Sequence, residues 1–408
     1  MPSDRTATHP REPCQQALTA LLPLRDVDTS ALRQELCDQR AALQQLFSSL
    51  ANVHFARLAI VPASALEPRP QLLLETSFDG ELAPHLDGLW SGADAPLPHI
   101  LRYCAGSQSV GARAGFHALL QQHLRRAAAL YRSSELGVAA IQNDARLATL
   151  VRRYSEAAPP PTHPAAGLPW AVGLQRQMSS ERDVRLAALT PPSRAPELSL
   201  RAFLALGFGR FAAAALTLPW LELRDRFRER DLAPSDAGSS DELGSPPAGT
   251  LTHLVALRPG RLRTSWLRLF LQLSDHLFAG RPRGARALPM LRNARWLLLP
   301  DGRLLFLGSY DGGLPALLAA VAERAATLSN LVWAHTQGFP AAGLTRPGGV
   351  RKRADFQRWL WSHQLPVHFW YSAYPTLSAT AVRRNQRLRE LLAAPLDAGG
   401  TSELCGLV

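Results

Sequence analysis

The chain is poor in cysteine and in lysine. Its four cysteines, Cys14, Cys37, Cys104 and Cys405, form no Cys-x-x-Cys pair, and Lys352 is the only lysine. This cysteine usage argues against a structural zinc site and offers no disulfide framework. We therefore expect a protein of the reducing cytoplasm.

Familiar catalytic motifs are also missing. The sequence has no Gly-x-Ser-x-Gly elbow, no Walker phosphate loop and no His-Glu-x-x-His motif. Its 12 histidines are scattered, and we predict no metal site. Residues 1–11 are polar and of mixed charge, which is not the pattern of a signal peptide.

The charge of the chain is strongly unbalanced. Its 408 residues include 45 Lys and Arg but only 33 Asp and Glu, which gives a net charge of +12. Such a protein can approach anionic lipid or nucleic acid through nonspecific electrostatics. Because no nucleic-acid-binding module is recognisable, we expect no specific nucleic-acid partner.

What the sequence does contain is one pattern that occurs twice. The corner Ser-Phe-Asp-Gly, with Asp79 and Gly80, recurs as Ser-Tyr-Asp-Gly, with Asp311 and Gly312. Two apolar runs with an Ala-Arg dipeptide near their start precede each corner, and a glycine follows each aspartate after 27 residues. This spacing indicates an internal duplication.

The duplication predicts an α+β fold of two ferredoxin-like modules with helices on one sheet face. Module 1 covers residues 51–157 and module 2 residues 291–393, joined by a connector over 158–290. A helical lead-in precedes them over 1–50, and a tail follows over 394–408. Within the modules, apolar runs after the first helix, at 100–103 and at 331–334, predict a further strand in each.

Two segments of the connector have membrane-like patterns. Ala202–Leu221 is an apolar run of 20 residues interrupted by Arg210; its length permits a membrane span, but a central arginine costs about 3 kcal/mol on insertion. Leu262–Phe278 has the pattern of a basic amphipathic helix at a membrane interface. Its apolar face includes Trp266, Leu269, Phe270 and Leu273, and its charges include Arg263 and Arg268.

The amphipathic segment also suits a helix that packs its apolar stripe on module 2, and this alternative stays open. Together the two segments favour a protein associated with the inner face of a membrane, with an anionic lipid surface as partner. A dense group of aromatic residues over 359–374 either lines a cavity for an apolar small molecule or forms a module core.

Several motifs also resemble those of a bacterial protein family with tandem ferredoxin-like modules. They include the doubled corner, Trp333, Gly-Phe-Pro at 338–340, His-Gln-Leu-Pro at 363–366 and Trp-Tyr-Ser-Ala-Tyr-Pro at 370–375. The family is similar to the dimeric α+β barrel superfamily. The resemblance implies that the two modules pair their sheets face to face in a pseudo-dimeric barrel.

That superfamily also contains dye-decolorising peroxidases and chlorite dismutases, which bind haem. Residues 308–312, Gly-Ser-Tyr-Asp-Gly, resemble the pattern that dye-decolorising peroxidases carry beside haem. The resemblance implies a peroxidase-like site with Asp311 as acid and base, Arg383 or Arg384 as the charge stabiliser, and His363 as the iron ligand.

A structural interpretation of the corner is the stronger one. An Asp-Gly pair between a strand and a helix is ordinary turn chemistry, in which the aspartate accepts backbone N–H groups at a helix start and the glycine takes a positive φ. The corner occurs twice, whereas a barrel needs only one such acid. We therefore predict a membrane-associated barrel that holds an apolar ligand, with a haem enzyme as the alternative.

Overall fold

The structure of the protein is a computed structural model. It describes residues 15–161, 164–182, 184–186, 249–278, 288–340 and 348–408. The apolar run Ala202–Leu221 lies outside the described residues. The described part is a mixed α+β fold with two separate four-stranded antiparallel sheets, which is compatible with two ferredoxin-like modules.

The first half of the chain supplies one set of four strands with their helices. In chain order the elements are β1 (Gln15–Pro23), α1 (Ser30–Asp38), α2 (Arg40–Ser49), β2 (Val53–Val61), β3 (Gln71–Asp79), α3 (Leu82–Leu89), α4 (Pro96–Leu101), α5 (Arg113–Gln122), β4 (Ala129–Arg132), α6 (Val138–Ala157) and α7 (Pro164–Ser180).

The second half repeats this order in its described residues, with the single helix α8 where the first half has α1 and α2. Its elements are β5 (Thr250–Ala256), α8 (Arg261–Phe278), β6 (Leu291–Leu298), β7 (Arg303–Tyr310), α9 (Leu314–Arg324), α10 (Ala326–Trp333), α11 (Arg353–Ser362), β8 (Val367–Ser372), α12 (Ala379–Ala393) and α13 (Ala398–Leu407).

Strands β1 and β5 occupy regions that the sequence assigned to the helical lead-in and to the connector. β1 pairs with β3 along all nine of its residues, and β5 pairs with β7 in the same way. A short apolar run is compatible with either a buried strand or a buried helix. Here both runs form strands because each pairs with the edge of a neighbouring strand, β3 or β7. From here on, module 1 means residues 15–157 and module 2 residues 249–393.

The further strands expected at 100–103 and 331–334 are not present. The first run begins with the last two residues of α4, and the second lies mainly in α10. In α4, Leu97, Ile100 and Leu101 are buried at helical spacing, and Pro96 at the first turn suits a helix start. The apolar runs therefore pack as helices.

The order of strands in the sheets shows that the two modules exchange their fourth strands. The first sheet has the order β1-β3-β2-β8 and the second the order β4-β6-β7-β5. Thus β8 of module 2 pairs antiparallel with β2, for example Leu58 opposite Phe369, and β4 of module 1 pairs with β6. Each module completes the sheet of the other.

One face of each sheet packs against the other sheet. The contact is a buried apolar cluster drawn from both, consisting of Leu21, Ala59, Val61, Leu73, Leu254, Leu297, Leu299, Leu305 and Leu307. The opposite faces carry larger cores covered by helices. Side chains therefore fill the space between the sheets.

Two buried arginines and one glutamate lie within this contact, and we call them the central triad. Arg57 in β2, Glu75 in β3 and Arg295 in β6 expose 2% or less of their side chains. The Nε atoms of Arg57 and Arg295 lie 3.0 and 3.1 Å from separate carboxylate oxygens of Glu75. The triad carries a net positive charge, since arginine keeps its proton in proteins.

Each arginine of the triad also crosses to the other sheet. Arg57 donates from Nη1 to the carbonyl of Leu251 and the hydroxyl of Thr252, both at 2.8 Å. Arg295 makes the equivalent bonds to the first strand of module 1, at Leu18 and Thr19, both at 2.9 Å. The Ala-Arg dipeptides of the repeat therefore hold the two sheets together symmetrically.

Candidate functional site

A polar cleft opens at one end of the contact between the sheets, and we call it the mouth cleft. Its enclosed volume is about 10 Å³, and the rest of the cleft is continuous with solvent. Strand ends from both modules form its wall, with the lining residues Gln15, Phe55, Ser77, Leu130, Arg132, Ser133, Ser134, Leu136, Ile141, Arg292, Asn293 and Tyr374. Most of these side chains are polar.

The corner aspartate of module 2 holds one arginine of the cleft. Asp311 Oδ1 accepts a hydrogen bond from Arg292 Nε at 2.5 Å. Its Oδ2 accepts the backbone N–H of Ala379 at 2.6 Å, the first residue of α12. The carboxylate is thus stabilised both by a cation and by the positive end of a helix.

The corner aspartate of module 1 makes the matching contacts with a histidine. Asp79 Oδ1 lies 2.8 Å from His54 Nε2, and Asp79 Oδ2 accepts the N–H of Val138 at 2.7 Å. His54 Nδ1 lies 2.9 Å from the hydroxyl of Tyr374. Because an ionised carboxylate only accepts, His54 donates to Asp79 and accepts the Tyr374 proton. Burial raises the pKa of Tyr374, so this hydroxyl stays protonated.

The two corners are therefore equivalent in structure. His54 and Arg292 each lie three residues before an arginine of the central triad. The position of the corner in the sequence predicts that each aspartate caps the helix directly after it. Instead Asp79 and Asp311 bind the first N–H of a helix 59 and 68 residues further along, while Gly80 and Gly312 take a positive φ of 95° and 76°.

The cleft combines cationic and neutral polar groups. Arg132 is 25% exposed and lies 3.9 Å from Glu135, a loose ion pair; Arg292 is 13% exposed. At the inner wall, Asn293 accepts from Ser309 at 2.5 Å and donates to Ser77 at 3.4 Å. Such an arrangement can bind a small anionic group through arginines, hydroxyls and amides.

Sequence reasoning did not identify the mouth cleft. Arg132 is the last of the four residues of β4, and only the strand exchange brings it beside Asn293, its partner in the β4–β6 ladder. Nothing local in the sequence indicates that pairing. The one usable signal was the repeat itself, because it placed Asp79 and Asp311 at equivalent corners.

The residues of the haem hypothesis are placed far apart. Asp311 follows the end of β7, and Arg383 donates to the carbonyl of Pro289 nearby, at 2.8 Å. His363 lies beside His253, which pairs with Phe306 of β7. Five residues of strand separate that position from Asp311, about 17 Å at the usual rise. The structure does not bring Asp311 and His363 together.

The second arginine of that hypothesis binds the C-terminal helix. Arg384 donates from both Nε, at 3.0 Å, and Nη2 to the carbonyl of Leu407 in α13. This contact fixes α12 against α13. The haem enzyme stays a prediction, without a shared site for its residues.

Helix α8 turns one face to module 2 and another to solvent. Leu267 and Leu271 are fully buried, and Arg263, expected at a membrane, is 6% exposed and donates to the carbonyl of Ala334 at 3.3 Å. Phe270 packs partly against the outer core of module 2. The stripe that includes Arg263 therefore faces the protein, because packing buries the side chains at 263, 267 and 271.

The rest of the expected membrane face is less buried. Trp266 and Leu269 are half-buried, Arg268 is exposed, and Leu262 is 61% exposed. The side chain of Leu273 lies outside the described residues. The helices that the structure describes include none long and apolar enough to cross a membrane.

Comparisons with protein-family models, with curated proteins and with solved structures find no match to this chain. In the described ranges, no group of three or more His, Cys, Asp or Glu side chains is placed to hold a metal ion. What the fold and the cleft define is a class: a duplicated α+β protein whose sheets are completed by exchanged strands.

Proposed function

We propose that the chain folds as a single-chain, pseudo-dimeric α+β barrel that binds a small anionic molecule in the mouth cleft. The observation that carries this proposal is the lining of the cleft. Arg132 comes from module 1 and Arg292 from module 2, and hydroxyl and amide groups lie around both. In such a barrel, Arg132 and Arg292 lie near each other because the cleft is where the ends of the two sheets come together.

A polar ligand suits this site better than the apolar one expected from the sequence. Leucines and the central triad fill the space between the sheets. The aromatic residues Trp359, Phe369 and Tyr371 are buried in module cores. Arg132 is only loosely paired with Glu135, and Arg292 donates to Asp311 from its Nε. An incoming anion can therefore gain charge-assisted hydrogen bonds from these guanidinium groups.

Titration calorimetry with inorganic phosphate and with succinate tests the proposal. We expect saturable binding to the wild type and about tenfold weaker binding to Arg132→Gln, because a hydrogen bond to a charged group is worth roughly 1.5–3 kcal/mol. The control is Arg146→Gln, at an exposed position of α6. Equal affinities for all three proteins, or no binding of either anion, contradict the proposal.

A second candidate function is association with an anionic membrane surface. One observation favours it: Leu262 is 61% exposed and shares a helical face with the half-buried Trp266 and Leu269, and Arg261 and Arg268 are exposed beside them. Apolar side chains flanked by arginine suit a helix lying in a lipid interface.

Flotation with phosphatidylglycerol vesicles tests this surface. We expect wild type to float with the vesicles and Leu262→Asp to remain in the soluble fraction, because a charge replaces an inserted side chain. Leu66→Asp is the matched control, since Leu66 is 72% exposed elsewhere on the molecule. Equal recovery of wild type and Leu262→Asp in the soluble fraction contradicts the idea.

A further inference from the structure

His253 is a buried polar side chain with nothing to bind. It is fully buried in β5, and neither of its ring nitrogens has a hydrogen-bond partner. A buried polar group without a hydrogen-bond partner lowers the free energy of unfolding. In a native fold such a group often indicates a bound ion or water molecule.

The fold itself does not require this histidine. In module 1 the residue after Ala20 donates its backbone N–H to the carbonyl of His123, at 3.1 Å. In module 2 the residue after His253 donates in the same way to His363, at 2.9 Å. The backbone arrangement is thus the same in both modules, and module 1 fills it with alanine. The imidazole is an addition peculiar to module 2.

His363 uses one of its ring nitrogens in a hydrogen bond to the backbone. Its Nδ1 donates to the carbonyl of Trp359 at 2.8 Å, since a carbonyl only accepts. Histidines that bind metals commonly donate their other N–H to a carbonyl or a carboxylate, which fixes the ring. The rings of His253 and His363 have centres 5.6 Å apart. Two imidazoles that share a tetrahedral ion place their centres roughly 5–6 Å apart.

Aromatic rings pack closely around His253. The rings of Trp359 and Trp333 lie 4.6 and 5.1 Å from that of His253, measured between centres. A Cβ added at Gly338 would lie 3.4 Å from the ring of Trp359. Since His363 is only half-buried, solvent can supply the ligands that the protein does not.

We propose that His253 and His363 form a two-histidine site for a borderline transition-metal ion of the Zn²⁺ and Cu²⁺ class, with water completing the coordination. Imidazole nitrogen is a preferred ligand for these ions. The site is separate from the mouth cleft and does not depend on anion binding there. It also departs from the sequence analysis, which predicted no metal site.

Equilibrium dialysis with Zn²⁺ and paramagnetic resonance with Cu²⁺ test this site on the full chain. We expect one Zn²⁺ per chain, at least tenfold weaker binding in His253→Ala and in His363→Ala, and unchanged binding in His123→Ala. Bound Cu²⁺ should show two imidazole nitrogens in the wild type and one in His363→Ala.

His253→Ala copies the alanine of module 1, so we expect it to fold, and circular dichroism checks this. If it does not fold, His363→Ala decides alone, because that side chain is half-buried at the surface. Zinc affinity that is equal in the wild type and in His363→Ala, or binding that never saturates, overturns the proposal.

Discussion

Module 1 and module 2 share one backbone plan but fill its outer core with different chemistry. Directly after each arginine of the central triad, module 1 pairs Leu58 with Leu74, whereas module 2 pairs Trp296 with Phe306. From Phe306 the aromatic packing continues to Trp333, with ring centres 5.6 Å apart. The same backbone arrangement thus accommodates either an aliphatic or an aromatic core. A side chain that occurs in only one module is therefore not required by the fold and can be interpreted in terms of function.

By contrast, the polar groups between the sheets are alike in the two modules, with one exception. Both modules keep an arginine that crosses to the other sheet and an aspartate that binds a helix start. The exception is Glu75, which lies opposite Arg57, while the matching partner of Arg295 is Leu307. One carboxylate therefore serves two buried cations.

The largest effect is expected when this shared carboxylate is removed. Glu75→Leu gives module 1 the residue of module 2 and leaves two buried arginines without a counter-charge. We expect a loss of about 3–5 kcal/mol in the free energy of unfolding, because removing one partner strands a buried charge. Urea unfolding measures it.

Arg295→Met is the comparison for this change, since it leaves Arg57 and Glu75 as a balanced pair. We expect it to cost less than Glu75→Leu. A larger loss for Arg295→Met would mean that its bonds to module 1 matter more than the charge balance.

The next effect concerns the dependence of stability on pH. Six residues after the corner, module 1 has the buried His85 and module 2 has Leu317. Burial lowers the pKa of His85 from 6.5 to about 3. The unfolded chain binds this proton more readily, so stability should fall as the pH drops below 6.5, by about 1.4 kcal/mol per pH unit for such a group.

His85→Leu copies module 2 and should remove this part of the slope. Urea midpoints between pH 7 and pH 4.5 measure the difference. The control is His99→Leu, in α4 at a half-buried position. If the slope is the same in His85→Leu and wild type, His85 is not held neutral in the fold.

A smaller effect compares the two corners. Asp79→Asn and Asp311→Asn each weaken the contact with a helix start, and we expect losses of about 1–2 kcal/mol in unfolding free energy. Asp355→Asn, on an exposed carboxylate of α11, should change little. Thermal unfolding compares the three, and a loss at only one corner would show that the corners are not equivalent.

The smallest expected change is in haem binding. Because five strand residues separate Asp311 from the position beside His363, we expect haemin to give no Soret band that depends on His363. Absorption spectra of wild type and His363→Ala check this, with His123→Ala as the control from module 1. A band lost only in His363→Ala would support the haem hypothesis instead.

Much of the local structure was open to prediction because it depends on neighbours in sequence. The hairpins β2–β3 and β6–β7 follow from apolar runs and turn residues, and Gly302 takes a φ of 79° in the tight turn between β6 and β7. The duplication was visible from the spacing of Asp79 and Asp311. The α+β class followed from these features.

The strand exchange and the mouth cleft could not be predicted in this way. Pairing of β8 with β2 joins residues more than 300 positions apart, and no local pattern selects the edge of β2 over the equivalent edge of β6. The burial of Arg57 and Arg295 was hidden for the same reason, since an arginine in a strand ordinarily reaches solvent. These features depend on pairing between strands that are distant in the sequence, and the residue types alone do not specify that pairing.

Disulfide trapping tests the exchange of strands most directly. With the four native cysteines replaced by alanine, Ala56→Cys and Tyr371→Cys place thiols on directly opposed residues of β2 and β8. We expect an intramolecular disulfide in this variant and none when Ala294→Cys, the equivalent position in β6, replaces Ala56→Cys. A disulfide between positions 294 and 371, with none between 56 and 371, would show that each module keeps its own fourth strand.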